Sequence, residues 1–129
     1  MPAPIPTEID RIARQAVDSA FRVHSTLGAG LLESVYEACL EHELRKRGLT
    51  VRRQVVVPVV YDDIRFDEGF RLDLLVENMI VIEIKAAERL LPVFEAQLLT
   101  YLKLTGLRLG FLINFNVGQI KDGIRRIAL

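Results

Sequence analysis

Cysteine is nearly absent from this 129-residue chain, where Cys39 stands alone. One cysteine closes no internal disulfide, and its place in a helical pattern reads as a core or boundary residue. Long apolar runs are missing as well, since none approaches the roughly 18 residues that a membrane-crossing helix needs. Met1–Pro6 is proline-rich and has neither the basic nor the apolar region of a signal peptide. A soluble, cytoplasmic protein with no membrane partner is expected. Net charge is zero, with 17 basic and 17 acidic side chains. That balance argues against a protein that coats nucleic acid through bulk positive charge. It leaves room for a site where a metal ion supplies the charge. The local basic clusters, Arg45–Arg47 with Arg52 and Arg53, and Lys121 with Arg125 and Arg126, read first as solvated surface. Repeats, low-complexity tracts and linkers are lacking. The length suits one domain over residues 1–129, with 1–6 as a short tail.

What is present is a hydrophobic half, 50% of residues, enough for a core. Ile9, Ile12, Ala13, Ala16, Ala20, Val23 and Leu27 recur at helical spacing and predict a helix over about Glu8–Leu27. Thr7 is the expected N-cap, and Asp10 sits at the capping-box position. His24 falls on that apolar stripe and reads as a hydrogen-bonded core or helix-end residue. Gly28 and Gly30 break the helix. A second helix is expected over about Leu31–Arg47, with Gly48 as its stop. Glu33, Tyr36, Glu37, Leu40 and Leu44 share one face of it. Two carboxylates therefore lie on a core-facing stripe, which is costly unless a cation or donor meets them there; the alternative is that both flank the stripe and reach water.

Val51–Tyr61 reads as a strand with edge or bulge character at Pro58, and Asp62-Asp63 as a turn. Strands are expected at about Gly69–Val76 and Met79–Ala86, and a helix at about Val93–Leu104 with Pro92 near its first turn. Leu109–Phe115 is a near-continuous apolar run, read as a buried strand. Gly118–Leu129 is open between a short helix and an edge strand. The order α-α-β-β-β-α-β describes an α/β (α+β) domain with a mixed sheet flanked by helices.

The two central strands carry the chemistry. Leu72, Leu74 and Val76, with Ile80, Ile82 and Ile84, are expected on one face, which favours pairing Val76 with Ile80 across a loop of Glu77, Asn78 and Met79. Asp73 then lies opposite Glu83 on the other face, with Lys85 and Arg71 beside them. Paired carboxylates repel unless a proton or cation joins them, and Mg²⁺ favours such oxygens. Lysine can hold a phosphate oxygen or stabilise developing charge. This is the equipment of phosphodiester hydrolysis. The plain alternative is a solvated cross-strand ion pair of Lys85 with either acid. Against it, Met79–Ala86 looks central and buried, and charges in such a strand demand partners. Gln97 and Tyr101 share a face of the following helix and offer an amide and a hydroxyl.

The chain resembles the small GxxExxY proteins of the PD-(D/E)XK nuclease superfamily. Their motif reads here Gly30, Glu33, Tyr36, followed by Glu37. Leu72-Asp73 and Glu83-Ile84-Lys85 match the metal-site motif, and Gln97 with Tyr101 looks like the QxxxY motif of the RecB-like branch. Leu72 stands where the superfamily's name has proline. The resemblance spans about Thr7–Ile127 and implies a restriction-endonuclease-like core. It implies metal ligation by Asp73, Glu83 and the Ile84 carbonyl, completed by Glu33 or Glu37, with Lys85 catalytic. Gln97 and Tyr101 would support the site or the DNA, and Tyr36 and Arg71 are further substrate-binding candidates. The expectation is a Mg²⁺-dependent nuclease, with Mn²⁺ as an alternative ion, acting on DNA rather than RNA. The competing expectations are a weak or inactive nuclease-fold module that binds nucleic acid or a partner protein, and a hydrolase of another phosphorylated substrate. A homodimer would be one way to assemble a basic track from the Arg45–Arg53 region.

Overall fold

The computed structural model describes residues 3–129; Met1 and Pro2, part of the expected tail, lie outside the described residues. Helices α1 (Thr7–Leu27) and α2 (Glu33–Lys46) precede strands β1 (Val51–Tyr61), β2 (Ile64–Val76) and β3 (Ile80–Lys85). Helix α3 (Pro92–Thr105), strand β4 (Leu109–Asn114), a 3₁₀ turn (Ile120–Gly123) and strand β5 (Ile124–Ala128) follow. The sheet order is β1-β2-β3-β4-β5, parallel only between β3 and β4. That single parallel pair is connected by α3, the kind of crossover that parallel strands require. The mixed α+β fold and its element order are as expected. The ambiguous tail holds both a short helical turn and an edge strand. No helix of the described residues is long and apolar enough to cross a membrane.

Helices α1 and α2 cover one face. Ala16, Ala20, Leu40 and Leu44 pack there with Leu74, Val76, Ile80, Ile82, Ile84 and Ile113. Helix α3 covers the other with Leu98 and Leu102, against Leu72, Leu75, Val81 and Leu112. The close seat of α3 on β4 depends on Gly110, where a Cβ would come within 2.9 Å of the Leu98 side chain.

Several local expectations are corrected. Thr7 is already helical behind Pro6 and makes no cap bond, and the Asp10 carboxylate accepts from Arg126 instead, at 3.0 Å. Helix α2 starts two residues later than expected, because the Leu31 N–H is taken by the Tyr36 hydroxyl. Strand β2 begins at Ile64 rather than Gly69, because Ile64, Arg65 and Phe66 pair with Tyr61, Val60 and Val59. This exposed stretch is held by its partner strand, not by burial of its own apolar side chains.

The expected hairpin register is present: Val76 pairs with Ile80 and Leu74 with Ile82. Glu77 and Asn78 both have positive φ, and the Met79 N–H donates to Val76 O at 2.9 Å. One expectation about faces is overturned. Leu74 and Val76 lie on the α1–α2 face, but Leu72 packs on the α3 face. Regular alternation would keep Leu72 with Leu74. Strand β1 makes the same switch: Val51 packs with the α1–α2 core, whereas Val55 and Val57 pack with α3. Both strands turn over at one rung, where Gln54 of β1 faces Asp73 of β2 and Gln54 has φ 51°.

Candidate active site

The ladder between β2 and β3 runs only through Leu74 and Ile82. One rung further, carboxylates take the place of backbone partners. The Asp73 N–H donates to Glu83 Oε2, and the Ile84 N–H donates to Asp73 Oδ2, each at 2.8 Å. Each acid is therefore fixed by the other's strand. Glu83, 5% exposed, follows Val81 by two residues and faces α3. Its carboxyl is pushed up to about 8, first by burial and then by the charge of Asp73. Asp73 is also raised, chiefly by burial, with the Glu37 charge adding to it and the Ile84 N–H opposing it.

Lys85 lies two residues beyond Glu83 on the same face. Its Nζ stands 4.6 Å from the centre of the Phe94 ring of α3. Its charge favours the ionised forms of both Asp73 and Glu83. Among the described residues no ion pair includes Lys85. The simple cross-strand salt bridge is thus not formed.

Helix α2 sends in one of its two glutamates. Glu37 is buried, accepting from Arg53 Nε and from Gln54 Nε2, both at 2.8 Å. Its charge raises both Asp73 and Glu83. Glu33 is exposed in the first turn of α2, away from this bond network. Tyr36 is fully buried, and its hydroxyl is used within the fold: it donates to Gly28 O at 2.6 Å and accepts from Leu31 N–H at 3.1 Å. Its ring stacks on Phe115. Arg71 is exposed and lies 3.8 Å from Glu68, not beside the acids. Tyr101 of α3 stacks on Phe70 and has its pKa raised by burial, then by the charges of Glu83 and Asp73. Gln97 is exposed on the helical face that carries Phe94 and Tyr101. His24 donates from Nε2 to Val117 O at 2.8 Å, and its ring centre lies 6.4 Å from that of Phe115.

Four neighbours of the acids were not anticipated. Arg53 and Gln54 hold Glu37, Phe94 lies under the Lys85 ammonium, and Asn114 anchors the segment after Lys85. The Asn114 side chain accepts from Ala87 N–H at 3.0 Å and donates to Ala87 O at 2.9 Å. A buried asparagine ending an apolar strand was the available signal for this last one; the Gln54 backbone left none.

Among the described residues no three His, Cys, Asp or Glu side chains gather closely enough to hold a metal ion. Glu37 is turned onto Arg53 and Gln54 instead. The donor set nevertheless suits a hard divalent cation. Burial raises the cost of ionising both carboxyls, the Asp73 charge adds to it at Glu83, and a cation removes that cost. Ile84 directs its N–H toward β2, and in a strand the carbonyl of the same residue points to the same side, so a third oxygen opens on the gap.

The sequence profile of the PD-(D/E)XK nuclease superfamily matches residues 10–127. Among solved structures, that of the protein SSO0001 is similar, with a TM-score of 0.57 and 23% identity; the match covers 92% of this chain and 61% of that one. The present chain thus spans about three-fifths of that relative, and the likeness is one of fold. No curated protein matches.

Proposed function

The chain belongs to the PD-(D/E)XK nuclease superfamily, and from that premise we propose that it is a divalent-cation-dependent nuclease that hydrolyses phosphodiester bonds, DNA in preference to RNA. The observation that carries this reading is the Asp73–Glu83 rung, a half-buried and a buried carboxylate, each fixed by the other strand's backbone, with Lys85 next on the same face. Mg²⁺ or Mn²⁺ held by Asp73, Glu83 and the Ile84 carbonyl would neutralise phosphate charge and acidify water. The carboxylates need no rearrangement to present oxygens, because their strands already hold them. Lys85 holds a phosphate oxygen and stabilises the charge that develops on it. The Phe94 ring beneath the ammonium keeps it at the rim of the site. Tyr101 and Gln97 line the substrate side from α3.

The Gly30, Glu33, Tyr36 and Gln97, Tyr101 patterns support membership in the GxxExxY group and the RecB-like branch. Of the two helix glutamates, Glu37 is assigned to the support of the cation site, through Gln54, and Glu33 to the surface. Tyr36 is assigned to the fold and Arg71 to the surface.

A second reading, a nuclease-fold module that binds without rapid turnover, is favoured by the charge pattern. Arg45, Lys46, Arg47, Arg53, Arg125 and Arg126 all lie within 4.0 Å of an acid of this chain, so these two basic clusters are largely neutralised within the fold.

Cleavage of end-labelled single- and double-stranded DNA, and of RNA, with Mg²⁺, Mn²⁺ or EDTA separates the two. We expect cation-dependent cutting of DNA that falls about 100-fold or more in Lys85→Met and in Asp73→Asn. Cutting that survives both substitutions contradicts the site. No cutting by a wild type that binds the cation favours the second reading.

A further inference from the structure

We propose that Gln54 is a positioning residue of the cation site, the one that fixes Asp73 of the Asp73–Glu83 rung by bridging it to Glu37 of α2. This rests on the cation-site reading above. The Gln54 side-chain amide stands between two carboxylates. Its Nε2 donates to Glu37 Oε1 at 2.8 Å and to Asp73 Oδ1 at 3.3 Å. It thereby joins α2 to β2 at the rung where β2 leaves the β3 ladder.

The backbone points the same way. Gln54 has φ 51° inside a strand, a region that a residue with a Cβ enters only at a cost. Nothing about a plain two-stranded ladder requires it. What the conformation achieves is to turn both strands over at one rung. Val55 and Leu72 then serve the α3 face while Leu74 serves the other, and the amide of residue 54 is aimed at the acids. Strain concentrated at such a point is a recurrent mark of functional geometry. An amide is also suited to this place. It satisfies two carboxylates by donation without a positive charge, so it does not compete with a cation as a lysine there would.

Arg53 grips the other oxygen of Glu37 from the neighbouring position. The two contacts differ in consequence. The Arg53 contact neutralises Glu37, whereas the Gln54 contact ties it to Asp73.

The test is calorimetric titration of the intact chain with MnCl₂ alone, without nucleic acid, beside thermal unfolding in EDTA. Gln54→Gly removes the amide and also the steric cost of positive φ. It is expected to keep a metal-free melting temperature at or above that of wild type, yet to bind Mn²⁺ about tenfold more weakly. Gln54→Glu is expected to unfold earlier in EDTA, because a carboxylate replaces the donor, and to gain more from Mn²⁺ than wild type does. Substituting Glu37→Gln in the Gln54→Gly background is expected to weaken binding little further. Wild-type affinity in Gln54→Gly overturns the inference and leaves the cation site standing. A wild type that binds no Mn²⁺ overturns both.

Discussion

At Glu83, burial and a like charge act in the same direction. The folded carboxyl titrates at about 8 against an ordinary 4.5. Between those values the native state keeps a proton that the unfolded chain releases. Metal-free stability is therefore greatest at the acid end of this window and falls as pH rises through about 8. Asp73, raised as well, adds to the same trend. Melting in EDTA across this range is expected to show the fall in wild type and a flatter profile in Glu83→Gln. An unchanged profile in that variant would assign the effect elsewhere. At this scale the sequence was informative where parity governs. Alternating aliphatics on β3 put Glu83 and Lys85 on one face, and the hairpin register put Asp73 opposite. It was silent on Gln54, since a glutamine in a valine-rich strand gives no hint of positive φ.

Helix α2 shows what a motif can and cannot say about an element. Gly30, Glu33 and Tyr36 are spaced as a signature, but they do different work. Gly30, at φ 98°, shapes the turn, and Tyr36 fastens that turn to the helix through Gly28 O and Leu31 N–H. Helical periodicity put both glutamates on one stripe. Only Glu37 lies deep enough to be buried, because Glu33 falls in the first turn at the open end. Tyr36→Phe leaves the Gly28 carbonyl and the Leu31 N–H without their shared partner. A loss of about 1–2 kcal/mol is expected by urea denaturation, with Mn²⁺ affinity unchanged. A large loss of affinity at unchanged stability would instead make Tyr36 part of the site. The face switch of β2 was the element-level feature that pattern could not supply. Leu72 reads as a continuation of Leu74 and Val76 until the opposing strand is seen to kink at the same rung.

On the scale of the whole molecule, the fold class was legible because helical and strand periods change cleanly along the chain. The β1–β2 hairpin was only half legible: Asp67, Glu68 and Gly69 interrupt the pattern of β2, and the apolar Tyr61, Ile64 and Phe66 of its outer part are exposed. Charge was legible in number but not in arrangement. Most of the clustered arginines meet acids of the same chain, so nucleic-acid affinity is expected to depend weakly on salt. With Ca²⁺ replacing the catalytic ion, the slope of log K against log salt is expected near −2 to −3, about three phosphate contacts. A slope steeper than about −6 would reveal a basic track, assembled for instance by a dimer. The central claim is that the Asp73–Glu83 rung is a cation site closed by a proton when no cation is bound. Its most direct test is the number of protons released on Mn²⁺ binding near neutral pH, measured by calorimetry in buffers of different ionisation enthalpy. About one proton per ion is predicted for wild type, and clearly less for Glu83→Gln. Mn²⁺ binding without proton release, or with the same release in both proteins, would contradict the account.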